Sequence, residues 1–264
     1  MKKIVLTIGA ACILALCMFG INAFGKYNQN KNLLKSTTGP ILVHEKKDFA
    51  LVELFTSEGC SSCPLADELV NKLAKENRQN VFILSYHVDY WNRLGWKDKF
   101  SKASFTKRQQ QYAAYFNKDG VYTPQIVING NIAFVGSDEI KLYNAINNSI
   151  GNTYTSPIQL TANTVHNEIV VGYKINNKEI TTLHIALVQL YGSSQVANGE
   201  NEGRFLQHTN IVTDIKTIPY LTNQNEVKFS IPTETQFKTT NYKIIAFLQN
   251  TNGVIVAVNE SVIQ

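Results

Sequence analysis

The sequence predicts an α/β domain, a mixed sheet flanked by helices, followed by an all-β sandwich-like domain. Three observations carry this expectation. Short apolar runs alternate with helical stripes between residues 49 and 151, Asn129-Gly130 signals a tight hairpin within that stretch, and beyond residue 155 strand-like runs follow one another with no helical pattern. The expected limits are 48–152 for the first domain and 153–264 for the second.

FALVELFT (49–56) is short, apolar and closed by a polar turn, as a buried strand is. Leu65, Leu69 and Leu73 recur at four-residue spacing and mark a helix face. VFILSYHV (81–88) is a second buried strand, the aromatic segment DYWNRLGW (89–96) has no period and reads as a loop, and a longer helix is expected at about 104–116. Gln125–Ile128 and Ile132–Val135 are strands on either side of the Asn129-Gly130 turn. Ser137 is placed to cap a last helix, with Asp138 and Glu139 at the positive end of its dipole, Ile140, Tyr143, Ile146 and Ile150 as its stripe, and Gly151 as its stop. A right-handed crossover makes the first two strands parallel, and the hairpin makes the last two antiparallel. PIQLTAN, EIVVGYKI, LHIALVQL, RFLQHTNIV, EVKFSI, YKIIAFLQ and VIVAV then supply about seven short strands, separated mostly by Asn, Gly, Ser or Thr turns, the texture of a β-sandwich.

The first 25 residues differ from the rest. Lys2 and Lys3 precede a nearly unbroken apolar run from Ile4 to Ile21, and small residues follow at Ala23 and Gly25, the pattern of a secretory signal peptide. An uncleaved anchor is the rival reading, since about 20 apolar residues cross a bilayer. Either way the protein is expected to be exported, periplasmic or secreted, with no membrane association beyond that segment. Residues 26–47 are polar and aperiodic, a flexible lead-in. The chain has 264 residues, 44% apolar and 17% charged, the balance of a folded soluble protein. Its 25 Lys and Arg against 20 Asp and Glu, fewer once Lys2 and Lys3 are removed, give no footprint for nucleic acid. Oligomeric state is not legible.

Of the four cysteines, Cys12 and Cys17 lie in the export segment. Cys60 and Cys63 are left, and in an oxidising compartment they are expected to meet as a disulfide. As a staple the pair is weak: closing a loop of four residues stabilises by only ~2 kcal/mol against ~3 for fifteen. As a zinc site it lacks the second pair of ligands such sites use, and His87 and Asp89 would have to complete it in space, which nothing in the spacing requires. As a redox centre it has a mechanism. At a strand-to-helix junction Cys60 would lie near the exposed N–H groups of the helix start, which favour a thiolate, and Cys63, one turn on, would resolve a mixed disulfide. Pro64 is tolerated in a first helical turn, where its missing N–H costs little.

Strand, CSSCP, helix, strand, helical insertion, YTP, hairpin and helix resembles the thioredoxin-like fold. Thr123-Pro124 stands where that fold places a cis-proline beside the dithiol. VELFTSEGCSSCPLADELV, LSYHVDYWNRLGWKD, FTKRQQQYAAYF, GVYTPQIVINGN and FVGSD look more closely like a secreted bacterial thioredoxin-like family classed only as a domain of unknown function (DUF1223), and GENEGRFLQHTNIV resembles that family's other recurrent segment. The resemblance implies a thioredoxin-type first domain and a β-rich second one. The sequence departs from thioredoxin in its inner Ser-Ser, its enlarged insertion before Thr123-Pro124, and a Glu in place of a buried Asp.

The expected activity is that of an exported thiol–disulfide oxidoreductase needing no cofactor and acting on a protein or small-molecule thiol or disulfide, with Cys60 attacking, Cys63 resolving and Pro124 shaping the docking edge for substrate. The alternatives are a carrier of copper or another soft metal using Cys60, Cys63 and His87, and a binding module with a static disulfide. Four residues join Pro124 as candidate support. Thr123 precedes it. Glu53 lies in an apolar strand, and either points outward or has a raised pKa and exchanges a proton with Cys63. His87 and Asp89 end the second strand, where open sheets usually place their sites. His87 would stabilise a thiolate, accept a proton, bind metal, or serve a structural role. Tyr90, Trp91 and Trp96 either wall a groove or, the favoured reading, cover the core. Arg204, Leu206, His208 and Asn210 would share one strand face toward the first domain, without a catalytic role.

Overall fold

The computed structural model describes residues 48–151, 153–176, 181–219, 225–231 and 237–264. Residues 1–47, on which the expected export segment and lead-in fall together with Cys12 and Cys17, lie outside the described residues. No helix among the described residues is long and apolar enough to cross a membrane.

Strand β1 (Ala50–Thr56) is buried at every position, because its two faces serve two cores. Ala50, Val52 and Leu54 pack under helix α1 (Cys63–Lys75) and helix α3 (Glu139–Ser149), while Leu51 and Phe55 face the cluster around Tyr86, Phe105 and Tyr112 beside helix α2 (Ala103–Tyr115). Strand β2 (Val81–His87) runs parallel to β1, with Thr56 opposite His87. On the other side β3 (Gln125–Ile128) is antiparallel to β1 and forms a hairpin with β4 (Ile132–Val135).

The hairpin turn is tied down by its own side chain. Asn129 accepts from the Leu51 N–H at 2.7 Å and donates to the Phe49 carbonyl at 2.9 Å. Asn129 and Gly130 both take positive φ, and a Cβ on Gly130 would collide with the Gly253 carbonyl.

Beyond α3, β5 (Ile158–Val165), β6 (Glu168–Ile175) and β9 (Glu226–Ser230) form a small antiparallel sheet. β7 (Thr181–Gln195), β8 (Phe205–Ile218), β10 (Tyr242–Asn250) and β11 (Ile255–Val262) join the first four strands in one eight-stranded sheet of order β11-β10-β7-β8-β2-β1-β3-β4. The small sheet packs across β7, β10 and β11 through Ile169, Val171, Phe229, Ile185 and Ile244. Strand pairing therefore crosses the boundary expected at residue 152. The seam is narrow: β2 and β8 pair in parallel at Ser85 and Ile211, reinforced by the Ser85 hydroxyl donating to the Thr209 carbonyl at 2.8 Å. The described residues from Asp48 to Gln264 cluster as one unit.

Two helical stripes differ from expectation. Leu65 is exposed, and α1 buries Cys63, Ala66, Asp67, Leu69, Val70 and Leu73. Ile140 is exposed too: α3 starts after Asp138, whose carboxylate caps the Lys141 N–H, and buries Leu142, Ala145 and Ile146. In both cases the misplaced residue lies in the first turn.

Glu53 is neither outward-facing nor free. Its carboxylate is fully buried on the face opposite α1, where the Arg108 Nε donates at 2.6 Å and the Tyr112 hydroxyl also donates. Arg108 reaches Tyr112 and Gln249 and lies over the rings of Tyr86, Tyr112 and Phe247. Burial works against the guanidinium's charge, but the Glu53 carboxylate outweighs it and holds Arg108 well above its ordinary pKa. Arg108→Met leaves Glu53 buried without its cation and is expected to cost about 3–5 kcal/mol in urea unfolding. Adding Glu53→Leu to it should restore most of the loss, and an Arg108→Met protein of wild-type stability would show that the pair contributes nothing.

Candidate functional site

The chain leaves β1 through Ser57-Glu58-Gly59 and enters α1 at Cys63. Cys60 and Cys63 form a disulfide, with the Cys63 N–H donating to the Cys60 carbonyl at 3.2 Å. Ser62 precedes the helix without a side-chain cap bond, and Pro64 occupies the first turn. The exposures are split: Cys60 is 1% and Cys63 0% exposed, while Ser61 and Ser62 face solvent. The Ser62 hydroxyl is 3.4 Å from the Cys60 sulfur.

Thr123-Pro124 borders this loop, and its peptide bond is cis. Trp91 makes the connection: its Cβ would lie 3.1 Å from a Cβ on Gly59, and its indole N–H donates to the Thr123 hydroxyl at 2.8 Å. A Cβ on Gly136 would meet Pro124, Ala66 and Leu54 within 3.2 Å, so glycine there lets the proline segment close onto α1.

Behind the loop lies a buried charged cluster. His208, from β8, sits between two carboxylates, with Nε2 3.3 Å from Glu58 and Nδ1 3.4 Å from Asp67. The separations are those of ion pairs, and neither ring nitrogen makes a well-aligned hydrogen bond. The Thr56 hydroxyl donates to Asp67 at 3.0 Å, and the Trp96 indole donates to Glu58 at 2.8 Å. His87 Nδ1 is 2.7 Å from Asp98, which also accepts from the Glu58 N–H at 3.0 Å and the Phe100 N–H at 2.9 Å. The two imidazoles meet edge to face, with centroids 4.6 Å apart. Burial disfavours the His208 cation, but Asp67 and Glu58 outweigh it and push its pKa up to about 10. Burial likewise opposes ionisation of Glu58 and Asp98, but His208 lowers the first and His87 with backbone donors lowers the second.

The tip of the β7–β8 hairpin closes over the same loop. The Asn201 amide, 1% exposed, donates to the carbonyls of Glu58 and Cys60, each at 2.9 Å. Exposed Glu200 accepts from the Ser61 N–H at 3.0 Å.

Thr123 is thus joined to the cysteine loop through Trp91, Pro124 approaches α1 at Gly136 and Ala66, and His87 belongs to the cluster behind the loop. Glu53 lies across the sheet. Asp89 is engaged with the first turn of α2, accepting from the Thr106 hydroxyl at 2.5 Å. Tyr90 reaches Gln109 on α2 and is only partly buried. His87 spends Nδ1 on Asp98, and among the described residues no group of three or more His, Cys, Asp or Glu is arranged to hold a metal ion. Leu206, His208 and Asn210 are buried and Arg204 is exposed, its guanidinium donating to Asn201. Glu58, Asp67, Asp98, Glu200 and Asn201 are the site residues that sequence reasoning missed. Asp67 carried a signal, since it lies four residues after Cys63 on a stripe that also buries Ala66 and Val70.

A family model described as a protein of unknown function (DUF1223) matches residues 51–249. The chain belongs to that family. Among solved structures this DUF1223 protein is similar to protein AGR_C_4864 of Agrobacterium tumefaciens, with 27% identity, 81% of this chain and 93% of the other covered, and a TM-score of 0.60. It also resembles HBP35 of Porphyromonas gingivalis in fold, at 13% identity and a TM-score of 0.51, with 83% and 76% of the two chains covered. No curated protein matches it.

His208 gives a pH signature with a definite sign. Its pKa is raised on folding, so its stabilisation is complete below its ordinary value of 6.5 and is lost as pH rises through about 10. The stability margin of wild type over His208→Gln, measured by urea unfolding, should shrink between pH 6.5 and 10. A margin that is constant or grows over that interval contradicts the charged pairing.

Proposed function

We propose that this DUF1223 protein is an exported thiol–disulfide oxidoreductase built on a thioredoxin-like fold. The observation that carries the reading is the Cys60–Cys63 disulfide at an uncapped helix N-terminus, with the Ser62 hydroxyl within reach of the Cys60 sulfur. The order of elements from β1 to α3 and the proline segment beside the loop support the fold assignment. Export rests on the pattern of residues 1–25.

In the reducing direction a Cys60 thiolate attacks a substrate disulfide, forming a mixed disulfide and releasing one substrate thiolate. Cys63, deprotonated, then attacks the Cys60 sulfur. The Cys60–Cys63 bond forms, the mixed disulfide breaks, and the second substrate thiolate leaves; two electrons pass to the substrate. Run in reverse, the same steps oxidise a dithiol. No cofactor enters. Positive helix-end potential lowers the cost of the thiolate. The buried carboxylates beside the cysteine loop are Glu58, Asp67 and Asp98, whereas Glu53 lies on the other face of the sheet.

The substrate is a protein or small-molecule disulfide or dithiol. Both cysteines are almost fully buried, so it reaches Cys60 only when the residues covering the loop move. That burial also favours a second reading, a binding module whose disulfide is static.

Turnover separates them. Wild type is expected to catalyse reduction of a model disulfide by dithiothreitol, Cys60→Ser to be inactive, and Cys63→Ser to accumulate a mixed disulfide detectable by intact mass. Equal activity in wild type and Cys60→Ser, or a disulfide that reductant opens only on unfolding, would sink the oxidoreductase and favour the static module.

A further inference from the structure

The hairpin tip brings a carboxylate to the disulfide loop that the chemistry above does not use. The tip is well ordered by its own backbone: the Gly203 N–H donates to Val196 and the Arg204 N–H to Asn201, with Gly199 and Gly203 at positive φ. Asn201 anchors it through two bonds to the carbonyls of Glu58 and Cys60. That anchorage leaves Glu200 on the backbone N–H of Ser61, the residue after Cys60.

Charged groups reach this loop from every element packed against it. Glu58 is on the loop, Asp67 on α1, His87 at the end of β2, Asp98 after it and His208 on β8, all buried; His208 pairs with Glu58 and Asp67, and His87 with Asp98. Glu200 and Arg204 come from the tip, and Arg204 donates to the Asn201 side-chain oxygen. Glu200 therefore presents a negative charge on the solvent side, its acidity increased by the Ser61 bonds.

Resting on the oxidoreductase reading, we infer that Glu200 tunes Cys60. By taking up the Ser61 N–H and placing a negative charge at the start of α1, Glu200 opposes formation of the Cys60 thiolate and so makes Cys60 a weaker leaving group and less acidic nucleophile. The helix start draws an anion, and Glu200 competes with the thiolate for that role. The second half of the chain thereby sets the reactivity of a dithiol carried by the first half. Glu200 acts through charge and is a positioning residue, not a catalytic one.

The test is the pKa of Cys60 in the full-length Cys63→Ser protein, followed by ultraviolet thiolate absorbance across pH, with and without Glu200→Gln. Glutamine keeps an acceptor for Ser61, and the position is exposed, so folding is not at issue. The change should lower the Cys60 pKa by about half a unit to one unit at low ionic strength. In 1 M salt, where the screening length is ~3 Å, most of that difference should vanish. An unchanged or higher pKa overturns the inference, and so does a drop that persists undiminished in 1 M salt, which belongs to altered loop structure. Since Cys63→Ser carries a free Cys60, the result is independent of whether the native disulfide turns over.

Discussion

The environment of the disulfide depends on one imidazole, that of His208, held between Glu58 and Asp67 with all three out of water. Each partner comes from a different segment: the loop before Cys60, the helix after Cys63, and a strand more than a hundred residues later. Burying these charges singly would be prohibitive, so the loop, α1 and β8 are stable only together. The adjoining pair of His87 and Asp98 extends the same constraint to the segment after β2, and Trp96 closes it over Glu58. The loop bearing the cysteines thus rests on a buried charged floor.

That floor explains why the eight-stranded sheet spans both halves of the chain. The β2–β8 seam has little ladder pairing, so it draws support from α1 laid across it, as where Asn71 donates to the Gln207 carbonyl at 2.9 Å. The opposite face has its own buried ion pair, Glu53 with Arg108. The sheet therefore separates two charged cores. The one under α2 braces the fold, and the one under α1 adjoins the sulfurs.

Local features were legible because they leave local patterns. The β3–β4 hairpin lies where Asn129-Gly130 places it, and the strand runs after residue 155 became β5 to β11, since buried strands and turns are written in adjacent residues. Leu65 and Ile140 were misread because periodicity marks a helix face without saying where the underlying sheet ends. Glu53 was legible as a problem, a carboxylate in an apolar strand, but its answer, Arg108, lies 55 residues away in a polar stretch of α2. The pairing of β8 with β2 and the docking of Asn201 left no periodic trace. His208 was legible as part of an inward strand face, but its carboxylate partners were not, because they are brought to it by non-local packing alone.

The two serines between the sulfurs are neutral, so in the proposed redox reading the groups left to bias the dithiol are the helix end, the buried cluster and Glu200. The central claim is that the buried Cys60–Cys63 bond is a working redox couple and not a brace. Equilibrating the folded full-length protein with dithiothreitol redox buffers, and reading the oxidised fraction by thiol trapping, gives its reduction potential directly. The account predicts a reversible two-electron transition above about −300 mV, in the range of known exchange catalysts. A potential far below that value, or reduction seen only when the protein unfolds, would contradict it.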